Sequence, residues 1–181
     1  MPQDEPQRQR LDRTLVILEG LDGPSFPLAL AALLCLWVDP AGAVAVARRW
    51  RLSNRQTLRA AWLIEHRGVL PQALAMPWSR VQRLFIADGI HELVALEEAL
   101  ARAESRDPGE LACCRTRLLQ PPEVLNPPPL VTGDDRIRHG IHPGPSYHVL
   151  LERVRNAQLD GEIRTRQEAL DLVDCILRTE P

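Results

Sequence analysis

Apolar residues recur at three- and four-residue spacing through nearly the whole chain, and strict alternation of apolar with polar residues is rare. That period belongs to the α-helix, not to the two-residue repeat of a strand. Aromatic residues make up only 4% of the sequence, and β-branched runs are few, so little is available to cover a pleated surface. An all-α chain is expected, a helical bundle body with a small carboxy-terminal helical module. Apolar spacing and punctuation place helices at 11–19, 27–38, 42–50, 54–67, 78–87, 90–103, 108–119, 145–159 and 166–178.

The best-marked helix start is SNRQ. Gln56 follows Ser53 by three residues, so the serine hydroxyl can take a helix-start N–H while the glutamine side chain reaches back. Gly68 is expected to close that helix in the left-handed conformation. Between Gln120 and Pro129 the sequence QPPEVLNPPP holds five prolines, which cannot continue a helix and favour an extended, semi-rigid connection. The expected organisation is a body over 11–119, a proline-rich connection over 120–131 and a tail module over 132–181.

At 181 residues and 45% apolar content the chain can bury a core as one domain, or as a domain with a small module. The longest apolar run, Phe26 to Val38, is about 13 residues and contains Pro27, short of the roughly 20 that a membrane span needs. The start, MPQDEPQRQR, has no apolar core of a signal peptide. No membrane partner and a cytoplasmic location are expected. Cys113 and Cys114 are adjacent while Cys35 and Cys175 stand alone, which fits neither a zinc site nor a disulfide framework.

Net charge is only −2, yet charge is unevenly placed, and every one of the 22 basic residues is arginine. From Pro40 to Ala87 eight arginines (Arg48, Arg49, Arg51, Arg55, Arg59, Arg67, Arg80 and Arg83) face one acid, Glu65, giving +7 there and −9 elsewhere. In ARRWRLS three arginines surround Trp50. Guanidinium groups can bridge phosphate oxygens in a bidentate way, and an aromatic ring can stack on an unpaired base. The tail from Pro127 has seven arginines and nine acids, so Arg153 and Arg155 can shape an RNA contact without supplying a net field. The alternative is that the arginines are the solvated backs of amphipathic helices, with Trp50 and Trp62 in the core.

The stretch LVTGDDRIRHGIHPGP puts Asp134 and Asp135 close to His139 and His142. Thr132 followed by Asp135 fits a helix cap, with the acids in a first turn, Arg138 and His139 in a last turn and Gly140 closing. Gly144 and Pro145 would then launch the next helix, whose free N–H groups could also meet a phosphate. Neighbouring aspartates on a helix point different ways, so no metal site is expected. His66 and His91 are expected at the surface or in caps.

The tail PPPLVTGDDRIRHGIHPGPSYHVLLERVRNAQLDGEIRTRQEALDLV, with ALAALLCLW and RRWRLSNRQTLRAAWLIEHRG before it, resembles the carboxy-terminal half of bacterial CCA-adding enzymes, the tRNA nucleotidyltransferases related to poly(A) polymerases. The likeness runs from about Leu15 to Val173. It implies a tRNA-holding body and tail, without the catalytic head and the neck. Two departures bear on chemistry. There is no G-S followed by D-x-D, the carboxylate pattern that holds magnesium, and no E-D-x-x-R of the neck. Where many relatives carry the His-Asp pair of a phosphohydrolase, ALAALLCLW has Cys35 and Leu36.

The resemblance and the charge pattern together imply an RNA-binding chain, its partner tRNA or another structured RNA. The contact residues expected are Arg48, Arg49, Trp50, Arg51, Arg55, Arg59, Arg67, Arg153 and Arg155. No catalytic residue, metal or cofactor is expected, so CCA addition would require a separate nucleotidyltransferase head. The alternative is a non-catalytic helical domain whose arginine face meets an acidic protein.

Overall fold

A computed structural model describes residues 4–73, 75–132 and 145–179. Every element among them is helical: α1 (Asp4–Glu19), α2 (Phe26–Leu34), α3 (Pro40–Arg49), α4 (Asn54–Glu65), α5 (Leu70–Ala73), α6 (Trp78–Phe85), α7 (Ile90–Ala103), a 3₁₀ turn (Pro108–Leu111), α8 (Ala112–Leu118), α9 (Pro122–Leu125), α10 (Pro145–Leu159) and α11 (Arg166–Thr179). The fold class is all-α. The short helix expected from Thr132 to Gly140, with Asp134, Asp135 and His139, lies outside the described residues except for Thr132 itself.

The chain divides into two compact units, Met1–Leu74 with Ala87–Leu119, and Ala75–Ile86 with Gln120–Pro181. In the first, α4 packs on both α2 and α3, and α1 packs on α2 and α7. Leu30, Ala47 and Ala60 meet where α2, α3 and α4 converge, with Leu34 and Leu52 against them. The two alanines leave room for close backbone approach, because interaxial distance follows the side chains at the contact. Ile17, Leu63, Leu70, Leu93, Leu96 and Leu111 are fully buried in the same unit. Each such side chain contributes about 2 kcal/mol of transfer free energy.

Helix starts follow cap chemistry. The Ser53 hydroxyl accepts the Gln56 N–H (3.3 Å) and the Gln56 side-chain Oε1 accepts the Ser53 N–H (3.2 Å), a complete capping box. Asp39 Oδ1 accepts the Gly42 N–H (2.7 Å), and Pro40 follows as the first residue of α3. That cap also explains why α2 stops at Leu34 although apolar residues continue to Val38. Asp39 is extended, as a residue before proline must be, and the chain turns through Cys35–Trp37 to reach it.

In the second unit, Val131, Leu150, Val154, Ala157, Ile163, Ala169 and Val173 form the core. Helix α6 belongs here and not with the body. Its start is held by Asp160, whose carboxylate accepts the Ser79 N–H (2.8 Å) and the Ser79 hydroxyl (2.7 Å). The buried Gln82 amide donates to the Leu125 carbonyl (3.1 Å) and to Asn126 Oδ1 (3.0 Å). The proline stretch differs from the extended segment expected of it. Pro122 occupies the first helical position, where its missing N–H costs nothing, and opens the single turn α9. Gln120, Pro121 and the part from Asn126 onward are non-helical.

Candidate nucleic-acid interface

The arginine-rich stretch is built on the junction between α3 and α4. Arg48 and Arg49 end α3, where cations are favoured by the helix dipole. The helix closes with Arg51 in the left-handed region (φ 58°), its N–H bonded to the Arg48 carbonyl (3.0 Å) and the Leu52 N–H to the Ala47 carbonyl (3.0 Å). This double closure normally uses glycine. Leu52 then packs on the Leu30–Ala47–Ala60 cluster, and the Ser53 box starts α4, which presents Arg55 in its first turn.

Two anchors, the half-buried Leu52 contact and the capping box, therefore fix a bend from which Arg48, Arg49, Arg51 and Arg55 project. All four are exposed, and among the described residues none has a side-chain hydrogen bond or ion pair. Trp50, at the helix end among them, is 51% exposed and so is not a core residue. Trp62 is half-buried and lies against His66, ring centroids 4.5 Å apart.

The other arginines expected at the contact are placed differently. Arg59 is one turn beyond Arg55, but its side chain is only 19% exposed and pairs with Asp88 and with Glu92 (3.5 Å). Glu92 also accepts the Ser25 hydroxyl, so Arg59 ties α4 to the start of α7 and to the α2 cap. Gly89 is required beside it, since a Cβ there would stand 2.6 Å from the Trp62 ring. Arg155 donates to Asn126 Oδ1 and to Gln158 Oε1, both at 2.9 Å, and its partial burial lowers its pKa. Arg153 is exposed and also has a partner. Both belong to the second unit, as do Arg80 and Arg83, and Arg83 pairs with Glu152 (2.7 Å). The +7 stretch is thus divided between two bodies.

Arg67 is exposed beyond the far end of α4, on a cleft that sequence reasoning missed. Gly68 has a positive φ (80°), two residues past the C-cap His66, and its N–H is accepted by Glu97. Glu97 is 1% exposed, and burial pushes its carboxyl pKa upward against the lowering effects of the Gly68 N–H, Arg106 and Arg67. The signal was present: Glu97 stands in the apolar register of Ile90, Leu93, Val94 and Leu100 on α7, where an acid is unexpected. Its neighbour Glu98 is buried too, but has Arg115 as a partner and Arg102 at 4.0 Å. Among the described residues no group of three or more His, Cys, Asp or Glu could hold a metal ion, and no helix is long and apolar enough to cross a membrane. No protein-family model, no curated protein and no solved structure matches this chain.

Proposed function

We propose that this chain is an RNA-binding helical protein that holds tRNA or another structured RNA through the α3–α4 junction. The observation that carries it is the cluster of Arg48, Arg49, Arg51 and Arg55, exposed and, among the described residues, without side-chain ion pairs, around the exposed Trp50. Unpaired guanidinium groups on a fixed bend can neutralise successive phosphates, and an indole beside them offers a stacking face for a base. The sequence resemblance to the body and tail of CCA-adding enzymes supports tRNA as the partner. It also assigns any CCA addition to a complex with a separate head, because this chain lacks the carboxylate pattern that holds magnesium.

The test is tRNA binding measured across a salt series. Replacing Arg48, Arg49, Arg51 and Arg55 together by glutamine should weaken binding and flatten the log-log salt slope by about 3, as expected for four lost phosphate contacts. A thermal melt checks that the fold survives. Unchanged affinity and slope in that variant would remove the physical basis of the assignment, and tighter binding to an acidic protein than to tRNA would favour the protein-interaction alternative.

A further inference from the structure

Helices α1 and α2 leave one apolar face of the first unit uncovered. Leu11, Leu15, Phe26, Leu33 and Trp37 remain between 38% and 50% exposed, although all five are large apolar side chains. Leu11 and Leu15 are one turn apart on α1, Phe26 and Leu33 two turns apart on α2, and Trp37 stands in the turn that follows α2. On α1, Gly20 faces α7, where an added Cβ would meet Ala99 at 3.4 Å, and Leu11, nine residues earlier, is half a turn round the helix from it. On α2, Leu28, Ala31 and Cys35 form the buried inner stripe, with Phe26 and Leu33 on the outer edge. Both helices pack on α7, so both outer edges lie on the side away from it.

Trp37 is held ready in this face. Its indole N–H donates to the Thr14 hydroxyl (3.0 Å), that hydroxyl donates to the Arg10 carbonyl (2.9 Å), and the Arg10 guanidinium lies 5.3 Å from the ring centroid. A tryptophan already fixed at the surface loses little freedom when a partner covers it, which suits it to anchor an interface.

The charges on the outer edge of α1 select the occupant. Arg8 and Glu19 are eleven residues apart, so they stand at the two ends of the Leu11–Leu15 edge, about 16 Å from one another along the helix. Both are exposed and, among the described residues, neither forms an ion pair. A uniformly acidic or basic partner would match one end and oppose the other. An identical helix running antiparallel, about an axis midway between them, sets each Arg8 against the partner's Glu19 and brings the leucine edges together. It also returns a cation to the carboxy-terminal end of α1, where Glu19 alone is disfavoured by the helix dipole.

We infer that this face is a two-fold interface between copies of the chain, with Leu11 and Leu15 at its centre, Trp37 as its anchor and Arg8–Glu19 pairs at both ends. The five side chains expose a few hundred Å², a substantial part of the about 800 Å² that each partner of a standard interface buries. The inference does not depend on RNA binding, which is assigned to the α3–α4 junction.

Sedimentation equilibrium of the whole chain over a concentration series tests it. The wild type should reach twice the mass of one chain. Leu15→Glu should raise the dimer Kd at least about hundredfold, because symmetry puts two charges into the apolar centre, with circular dichroism checking that the helices are kept. Arg8→Glu and Glu19→Arg should each raise Kd about tenfold, since each sets like charges opposite one another. Both changes suit the dipole of α1, so a weaker dimer would not reflect a weaker helix, and they keep the test valid if Leu15→Glu folds poorly. The combined variant restores opposite charges with their places exchanged and should return to within about threefold of wild type. A wild type that stays monomeric at every concentration overturns the proposal and leaves the face to a different protein. A dimer that Leu15→Glu leaves intact, charge variants that associate like wild type, or a combined variant weaker than either single one overturns this interface and its register.

Discussion

Two arginine-bearing regions of this molecule have opposite electrostatic character. At the α3–α4 junction four exposed guanidinium groups project from a bend and, among the described residues, form no ion pair, while in the second unit Arg83 and Arg155 are committed to Glu152, Asn126 and Gln158. Composition cannot distinguish them. What differs is whether the fold returns a carboxylate or a carbonyl-type oxygen to each arginine, and such partners can come from far along the chain: Glu152 is 69 residues from Arg83 and Asn126 is 29 from Arg155. Charge counted along a sequence is therefore a poor measure of field. The field exists where local structure exposes the cations and no tertiary partner reaches them.

Arg59 gives the sharpest test of that contrast, since it follows Arg55 by one turn and yet belongs to the committed class. Arg59→Gln should cost about 1–2 kcal/mol of stability in a urea melt, because it leaves the partly buried Glu92 without its cation. The same variant should leave the salt slope of RNA binding where it was. A lower slope with unchanged stability would place Arg59 in the interface and erase the distinction between the two regions.

The sequence carried local structure well and tertiary partnership poorly. Helices Ile90–Ala103 and Pro145–Leu159 have the bounds that apolar spacing gave them, and the Ser53 box is formed by adjacent residues, so its chemistry is visible in four letters. The grouping of α6 with the second unit was not legible, because Asp160, Glu152 and Asn126 lie 44–81 residues away from their partners on it. Arg48, Arg49, Trp50, Arg51 and Arg55 could be named as a cluster since one turn of chain holds them together. Sorting them from Arg59 required Asp88 and Glu92, which only folding brings near.

Charge in the second unit should prove structural also at its acids. Thr165 and Glu168 form a cap on α11: the threonine hydroxyl accepts the Glu168 N–H (3.2 Å), and the glutamate accepts the N–H groups of Arg164 (2.7 Å) and Thr165 (3.3 Å). Thr165→Ala should lower stability by about 1 kcal/mol. The N–H bonds from Arg164 and then Thr165 hold the Glu168 carboxyl below its ordinary value of 4.5. A depressed acid stabilises the fold above its unfolded pKa, and that contribution is lost as pH falls through the folded one. The stability gap between wild type and Glu168→Gln should therefore be open at neutral pH and close below about pH 4.5, as followed by melts across a pH series. A gap that is constant with pH would mean that the carboxylate charge plays no part in the cap.

The smallest effect expected separates fold from function within a single residue. Arg51 closes α3 in the left-handed region, where a side chain is disfavoured and glycine is not. If the position served stability alone, glycine would be the better residue. Arg51→Gly should raise stability by about 0.5 kcal/mol, the backbone relief being partly offset by the greater freedom of glycine in the unfolded chain. RNA affinity should fall nonetheless, with the salt slope flatter by slightly less than 1, because one phosphate contact is gone. Opposite signs for stability and binding would show that the bend holds an arginine for its charge at a cost in strain. A variant that gains stability and binds RNA with the wild-type slope would instead make Arg51 a passenger and confine the interface to Arg48, Arg49 and Arg55.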